Sequence, residues 1–537
     1  MLGIQRGNEM IKYINIRNIF KNTILILTLF TFIHGMPQES IPEGLEQRIE
    51  QIRKDWDIPG MSVAIIKDDK VIYAKGFGVR ELGKPAKVNK KTLFAVASTT
   101  KAMTVATLGM LVDEEKLSWD DWVVDILPGF RMYDAYATAE MRVRDLLTHK
   151  SGLSRGDGVW LEFPITQKKA LHQIRYLKPA YSFRSKYHYS NLMYLTAGLV
   201  SAEVHGDSWD KVMYKRLFKP LKMNRSVPMS RDIKKRNNVA TPHAKENGLL
   251  SEENFKTIKH RDADAIAPAG AVYSNALEMA NWVRLNMNKG EFEGKRILSE
   301  AVINEMHKPQ MHLDFSPRFP EEAKVTNFKT YGLGWSIDDY RGYKRVSHGG
   351  YLDGFSTWIG FLPANNLGWV VMNNGGARIT TVVGAEIIDA FLGVKDRVDW
   401  SVAEMKYVKA NPSSGYQISD SLMADLVSSR VEGTHLRLKD SGYIGNYTHE
   451  FYGKLKIEEK DGKLIISRGE NLVGTLNHWH YDTFRVRWNL LADRVKGCCG
   501  GGNEFITFHF NVNNEANAME RVMDGRPTYF TKLKKEE

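Results

Sequence analysis

Two sets of strand signals, far apart in the chain, constrain the fold most. "GMSVAIIKDDKVIYAKGFGV", Gly60 to Val79, is a pair of apolar runs around Asp68-Asp69-Lys70, the pattern of a strand hairpin. The strand pattern returns at "KRVSHGG" (344–350), "STWIGFLP" (356–363) and "GWVVMN" (368–373), the last two separated by a turn at Ala364 to Leu367. Between these ends, residues 116–260 read as mainly helical and irregular, with "VRDLLTHKSGL" (143–153) and "NLMYLTAGLVSAEVHG" (191–206) the clearest elements. An amphipathic helix is expected over 43–56, and a helix apolar on one side over 381–393. One antiparallel sheet assembled from both ends, flanked by helices and interrupted by a helical insertion, is the simplest α/β architecture.

The texture changes at about residue 394. Residues 394–437 read as a charged linker with some helix. Short alternating strands follow at "KLKIEE" (454–459), turned by Asp461-Gly462 into "KLIISR" (463–468), then at "TFRVRW" (483–488) and "FITFHFNV" (505–512). The expected division is an N-terminal segment over 1–35, a first domain over 43–393, the linker, and an all-β, barrel-like domain over 438–537. A chain of 537 residues has room for these cores, and no internal repeat competes with the assignment.

With 43% hydrophobic and 26% charged residues the composition is that of a globular protein. The net charge of +12 is read as dispersed, since Lys and Arg alternate with Asp and Glu, and no nucleic-acid motif accompanies it. Nucleic acid is therefore not an expected partner; a small molecule or peptide is, and self-assembly is left open. Lys12, Arg17 and Lys21 precede the apolar run Ile24 to Ile33 and the polar stretch beyond Gly35, which describes a secretory signal with a mature start near Met36. The alternative is that the run is retained as an anchor. Cys498 and Cys499 are adjacent, so neither a disulfide framework nor a C-x-x-C metal site is expected; no cofactor is either. N-x-[ST] matches at Asn224 and Asn446 are near chance.

The chemistry centres on "LFAVASTTKAMTVATLGMLV". Ser98 and Lys101, three apart, share one helix face. A serine hydroxyl needs a base within reach, and Phe94, Val96, Met103 and Val105 make a charged lysine costly, favouring the neutral amine. A helix starting at Ser98 also aims its positive end at the reaction site. The spacing recurs at Ser208 and Lys211, where the serine reads as a helix cap. "KYHYSNLMYL" adds Tyr189, a phenol that could pass protons, and Asn191, an amide able to hold both the lysine and a substrate carbonyl. Tyr13-Ile14-Asn15 and Tyr273-Ser274-Asn275 share that spacing, the second with a structural turn as its bland reading. In "VSHGGYLDGF", His348-Gly349-Gly350 ends a strand signal, and its glycines suit close approach of a backbone or ligand, with the Tyr351 N–H as an oxyanion donor; a bulge with a surface histidine is the alternative.

In this order the three elements resemble the S-x-x-K, Y-x-N and K-T-G-like motifs of the serine β-lactamase and penicillin-binding-protein superfamily. The resemblance is closest to the branch of AmpC-type β-lactamases, D-alanyl-D-alanine carboxypeptidases, D-aminopeptidases and esterases. It extends over residues 43–393 and includes "LLTHKSGL", "FKPLKMNRS" and "APAGAVYS". It implies that Ser98 is acylated, that Lys101 and Tyr189 share base and acid work, and that Asn191 orients the substrate. The Ser98 and Tyr351 N–H groups would form the oxyanion hole, and no metal is implied. Dedicated β-lactamases of this branch generally carry lysine where this chain has His348. An imidazole partly charged near neutral pH holds a drug carboxylate less well; as a substrate-binding residue His348 could also protonate a leaving group. The resemblance thus implies an exported hydrolase of small amides, peptides with D-amino acids, or esters, with a β-lactamase proper and a catalytically silent scaffold as alternatives. The C-terminal strands resemble a lipocalin-like module.

Overall fold

The computed structural model describes residues 41–161, 165–246, 250–376, 378–411, 428–469, 472–489, 504–523 and 525–534. The expected signal, its Tyr13 and Asn15, the two cysteines and residues 412–427 of the linker lie outside the described residues. Helix α1 (Leu45–Asp55) leads into β1 (Gly60–Lys67) and β2 (Lys70–Gly78), the hairpin expected around Asp68 and Asp69. Both aspartates take positive φ, 47° and 61°, a conformation Asp adopts more readily than most residues. From the other end come β3 (Met311–Leu313), β4 (Lys329–Tyr331), β5 (Ser336–Tyr340), β6 (Tyr343–Leu352), β7 (Phe355–Leu362) and β8 (Leu367–Asn373).

These form one eight-stranded antiparallel sheet in the order β2-β1-β8-β7-β6-β5-β4-β3. The two ends of the chain meet where β1 pairs with β8, Val63 opposite Val371 and Ile65 opposite Trp369. β1, β7 and β8 are buried almost throughout, which is why their sequences are apolar runs. β3, β4 and β5 escape the sequence reading because they are short and polar. The β5 residue Asp338 is compatible with burial because it pairs with Arg345 of β6 through two contacts of 2.8 Å.

Helices cover both faces. Gly368 of β8 lies against helix α4 (Ala276–Met287), where an added Cβ would fall 2.7 Å from Val283 Cγ1. Helix α5 (Ile379–Phe391) presents Gly384 to Trp358 of β7. Helix α6 (Trp400–Ala410) occupies part of the expected linker, and it packs: Trp400 Nε1 donates to Asp389 at 3.0 Å, and Arg318 pairs with Glu404 at 2.7 Å.

Two helices of the intervening block carry the site, α2 (Thr100–Asp113) and α3 (Asn191–His205). α2 is buried from Thr100 to Leu111, so its polar side chains need partners inside the protein. Its Thr107 hydroxyl meets Ser201 of α3 at 2.8 Å, and Thr104 donates to the Pro268 carbonyl at 2.7 Å. Gly198 lets Pro268 approach α3: a Cβ there would lie 2.1 Å from the proline ring.

The C-terminal strands close into an eight-stranded antiparallel barrel: β9 (Gly445–His449), β10 (Gly453–Lys460), β11 (Lys463–Arg468), β12 (Leu472–His480), β13 (Thr483–Trp488), β14 (Glu504–Phe510), β15 (Ala516–Met523) and β16 (Arg526–Lys532). β9 pairs with β16, leaving no free edge. Four of these strands, β10, β11, β13 and β14, are expected from the sequence; Gly474, Pro527 and a polar β9 interrupt the alternation in three of the others.

Replacing Gly198 by Ala is expected to force Pro268 away from α3 and to destabilise the protein by about 1–3 kcal/mol. Urea denaturation measures this, and an unchanged midpoint would contradict the described packing.

Candidate active site

Ser98 sits in a short turn of 3₁₀ helix (Ala97–Thr99) immediately before α2, rather than inside it. The preceding Ala97 has φ 48°, an uncommon conformation for a residue with a Cβ, of the kind that concentrates at functional sites. One turn on, Lys101 is wholly buried. Its Nζ lies 3.1 Å from Ser98 Oγ, 2.8 Å from Asn191 Oδ1 and 2.8 Å from the Ala269 carbonyl. The Tyr189 hydroxyl donates to Ser98 Oγ at 2.8 Å. Hydroxyl and amine from one stretch of sequence thus meet phenol and amide from another, about 90 residues on.

The strand edge completes it. A Cβ on Gly350 would fall 2.2 Å from the Val96 carbonyl and 3.0 Å from the Ser98 nitrogen, so β6 crosses the serine turn at a distance that glycine permits. Gly349 is less constrained, its nearest such contact being 3.7 Å. His348, Gly349, Gly350 and Tyr351 line the same cleft, of about 890 Å³, as Ser98, Tyr189 and Asn191.

His348 corrects the sequence reading. It is neither a surface residue nor partly charged: burial pushes its pKa down to about 3. Nδ1–H donates to the Gly349 carbonyl at 2.6 Å, and Nε2 accepts from the Tyr331 hydroxyl at 3.0 Å. An uncharged ring with both nitrogens engaged neither holds a carboxylate by charge nor carries a spare proton for a leaving group.

Burial also drives the Tyr189 pKa well above that of a free phenol, outweighing the opposing hydrogen bond to Ser98. Of the two groups expected to share base and acid work, Tyr189 is therefore held as a protonated hydroxyl. Ser208 stands at the start of a helix, as expected, yet its side chain makes no capping hydrogen bond, and Lys211 pairs with Asp207 at 3.3 Å. Tyr273 is buried, with its hydroxyl 3.1 Å from His260, and Asn275 caps α4 through the Glu278 N–H.

Several contributors escaped the sequence reading. Asp157 accepts from Asn191 Nδ2 at 2.8 Å, and Asp157 pairs with Arg155, whose guanidinium lies 5.2 Å from the Tyr189 ring centre. His149 stacks on Tyr189 with centroids 4.2 Å apart and accepts the Ser190 N–H at 3.1 Å. Its stretch, "LLTHKSGL", and "APAGAVYS", which supplies the Ala269 carbonyl, were visible as family-like segments without assigned roles. Asp157 left only the glycine-flanked "RGDGVW" as a trace.

A family model described as Beta-lactamase matches residues 45–390, more than half of the chain. The chain belongs to the Beta-lactamase family. At this level it is a serine hydrolase of the β-lactamase and penicillin-binding-protein superfamily. A second family model, a domain of unknown function, matches residues 429–532. Among curated relatives of this Beta-lactamase-family chain is unguisins hydrolase ungD of Aspergillus violaceofuscus, 28% identical over 79% of this chain and 78% of its own length. Penicillin-binding protein 4 of Amycolatopsis lactamdurans is 24% identical over 65% of this chain and 90% of its own. The octameric penicillin-binding protein homologue from Pyrococcus abyssi shares the fold, with TM-score 0.56 and 19% identity, over 91% of this chain and 99% of that one.

Among the described residues no cluster of three or more His, Cys, Asp or Glu is arranged to hold a metal ion, and no helix is long and apolar enough to cross a membrane.

Three buried histidines fix the sign of the acid response. The pKa of His307 and of His348 falls to about 3, in both cases chiefly by burial, and His149 is lowered well below 6.5 for the same reason. The unfolded chain therefore binds these protons first. Stability from this source is fully present above about pH 6.5 and is lost as pH falls towards the folded values. The urea midpoint is expected to be lower at about pH 5 than at about pH 7; an equal or higher midpoint at the lower pH would contradict it.

Proposed function

We propose that the protein is an exported serine hydrolase that cleaves small amides, peptides or esters, D-amino-acid peptides among them, through an acyl-enzyme on Ser98. The observation that carries this reading is the continuous chain Tyr189 Oη, Ser98 Oγ, Lys101 Nζ, with steps of 2.8 and 3.1 Å. In the reacting state that we propose, Lys101 is a neutral amine whose two N–H bonds go to the Asn191 and Ala269 oxygens. Its lone pair then faces Ser98.

As Oγ bonds to the substrate carbonyl carbon, Lys101 takes the hydroxyl proton and the Ser98 and Tyr351 N–H groups receive the oxyanion. Tyr189 gives its proton to the departing nitrogen or oxygen. In the second half, the Tyr189 phenolate takes a proton from water as the resulting hydroxide attacks the acyl carbon. Lys101 then returns its proton to Ser98 Oγ. One N–H of Asn191 holds Asp157, and the other serves the substrate carbonyl.

The neutral His348 favours amides and esters over β-lactam drugs, because no fixed charge stands at that strand position. The relative named an unguisins hydrolase supports a peptide-type substrate. Export rests on the Lys12 to Ile33 segment: N-terminal sequencing of secreted material should start near Met36, and retention of residues 24–33 would indicate an anchor instead. We also read residues 43–393 as the catalytic domain and 438–537 as the appended one.

A fluorophosphonate probe should label Ser98, and Ser98→Ala should take no label. Lys101→Met is expected to slow labelling about a thousandfold, and Gly350→Ala, which drives a Cβ into the Val96 carbonyl, about a hundredfold. Absence of any Ser98 adduct would support a silent scaffold. Turnover of nitrocefin faster than of D-amino-acid p-nitroanilides and p-nitrophenyl esters would support a β-lactamase proper.

A further inference from the structure

The loop Arg155–Trp160 joins the catalytic cluster to the barrel. Asp157, at its centre, is almost fully buried. Its Oδ1 accepts from Asn191 Nδ2 and from Trp160 Nε1, both at 2.8 Å, and its Oδ2 accepts from Arg155. A carboxylate oxygen can only accept, so the Asn191 amide must turn its nitrogen towards Asp157 and its oxygen towards Lys101. The orientation of Asn191, and with it one of the two acceptors of the lysine amine, is set by where this loop lies.

Barrel side chains pack on that loop together with Leu177, whose Cδ2 lies 2.6 Å from where a Gly156 Cβ would stand. Asp157 stands between two glycines, and Gly156 has φ 63°. A Cβ on Gly156 would fall 2.7 Å from Phe451 Cζ; one on Gly158 would fall 2.7 Å from Met523 Cε and 3.2 Å from Tyr452 Cε1. Phe451 is wholly buried and Tyr452 nearly so, in the turn between β9 and β10. Arg468 of β11 donates to the Gly158 carbonyl at 3.4 Å. The turn is clasped from the other side by Gln173, whose Nε2 donates to the Glu450 and Phe451 carbonyls at 2.9 and 3.1 Å. The barrel thus reaches over the loop that also brings Trp160 to the cleft wall.

We propose that the barrel is a positioning module for catalysis: its turn Glu450–Tyr452 seats the glycine-flanked loop so that Asp157 orients Asn191 and thereby the Lys101 amine. Phe451 and Tyr452 are positioning residues, acting through the loop without touching substrate. The inference rests on the reading of Ser98 and Lys101 as the reacting pair. It makes the barrel necessary for the acylation rate, as distinct from substrate affinity.

The test is the saturating rate of Ser98 labelling by a fluorophosphonate, together with the concentration giving half that rate. Both are measured on the full chain for wild type, Phe451→Ala, Asp157→Asn and the double variant. Phe451→Ala is expected to slow the saturating rate about tenfold while moving the half-saturating concentration less than about threefold. Adding it to Asp157→Asn is expected to slow labelling by no more than about twofold further, because both act along one path. Phe451→Leu is expected to recover most of the rate. Gln173→Ala, which leaves both cores untouched, is expected to slow labelling about threefold and serves if Phe451→Ala does not fold. Folded Phe451→Ala or Gln173→Ala labelling at the wild-type rate, or losses that multiply in the double variant, would overturn the proposal. Wild type that takes no label would instead overturn the catalytic reading on which it stands.

Discussion

The structure is organised around a lysine amine with no solvent contact. An amine removed from water is tolerable only where acceptors are built around it, and those of Lys101 come from separate pieces of chain. Asn191, which supplies one, begins helix α3, and the Ala269 carbonyl belongs to the segment that Gly198 allows against that helix. The Thr104 bond to Pro268 and the Thr107–Ser201 contact tie α2 to the same two pieces. Packing of this helical block and construction of the site are one event: the contacts that bring α2, α3 and residues 267–270 together are those that satisfy the amine.

The sheet supplies the other half. Its central strands are buried on both faces, giving a rigid platform, and β6 is pressed onto the Ser98 turn by the missing side chain of Gly350. Against that platform stand the charges of the cleft. His348 is neutral and bound at both nitrogens, Tyr189 keeps its proton, and Arg155 is paired with Asp157 while lying over the Tyr189 ring. Arg155 places positive charge beside the phenol, where it suits a transient phenolate, and Arg378 lines the same cleft as the strand residues His348 to Leu352.

Much of this was legible in the residues. Burial on both faces makes β1, β7 and β8 continuous apolar runs, and the need for a base one turn from a serine made Ser98 and Lys101 stand out. The illegible parts share a physical cause: they depend on pairing across long separations. β5 hides as a strand because Asp338 is buried only in company with Arg345. Asp157 reads as a loop carboxylate until Asn191, Trp160 and Arg155 converge on it. The charge of His348 could not be read either, because it is set chiefly by burial, which the motif does not record.

The central claim is that an uncharged Lys101 amine receives the Ser98 proton. Neutron diffraction from perdeuterated crystals at neutral pH locates the relevant hydrogens directly. The account predicts two on Lys101 Nζ, directed at Asn191 Oδ1 and the Ala269 carbonyl, with the Ser98 hydrogen on Oγ pointing to Nζ and the Tyr189 hydrogen pointing to Oγ. Three hydrogens on Nζ, one of them directed at Ser98 Oγ, would contradict it.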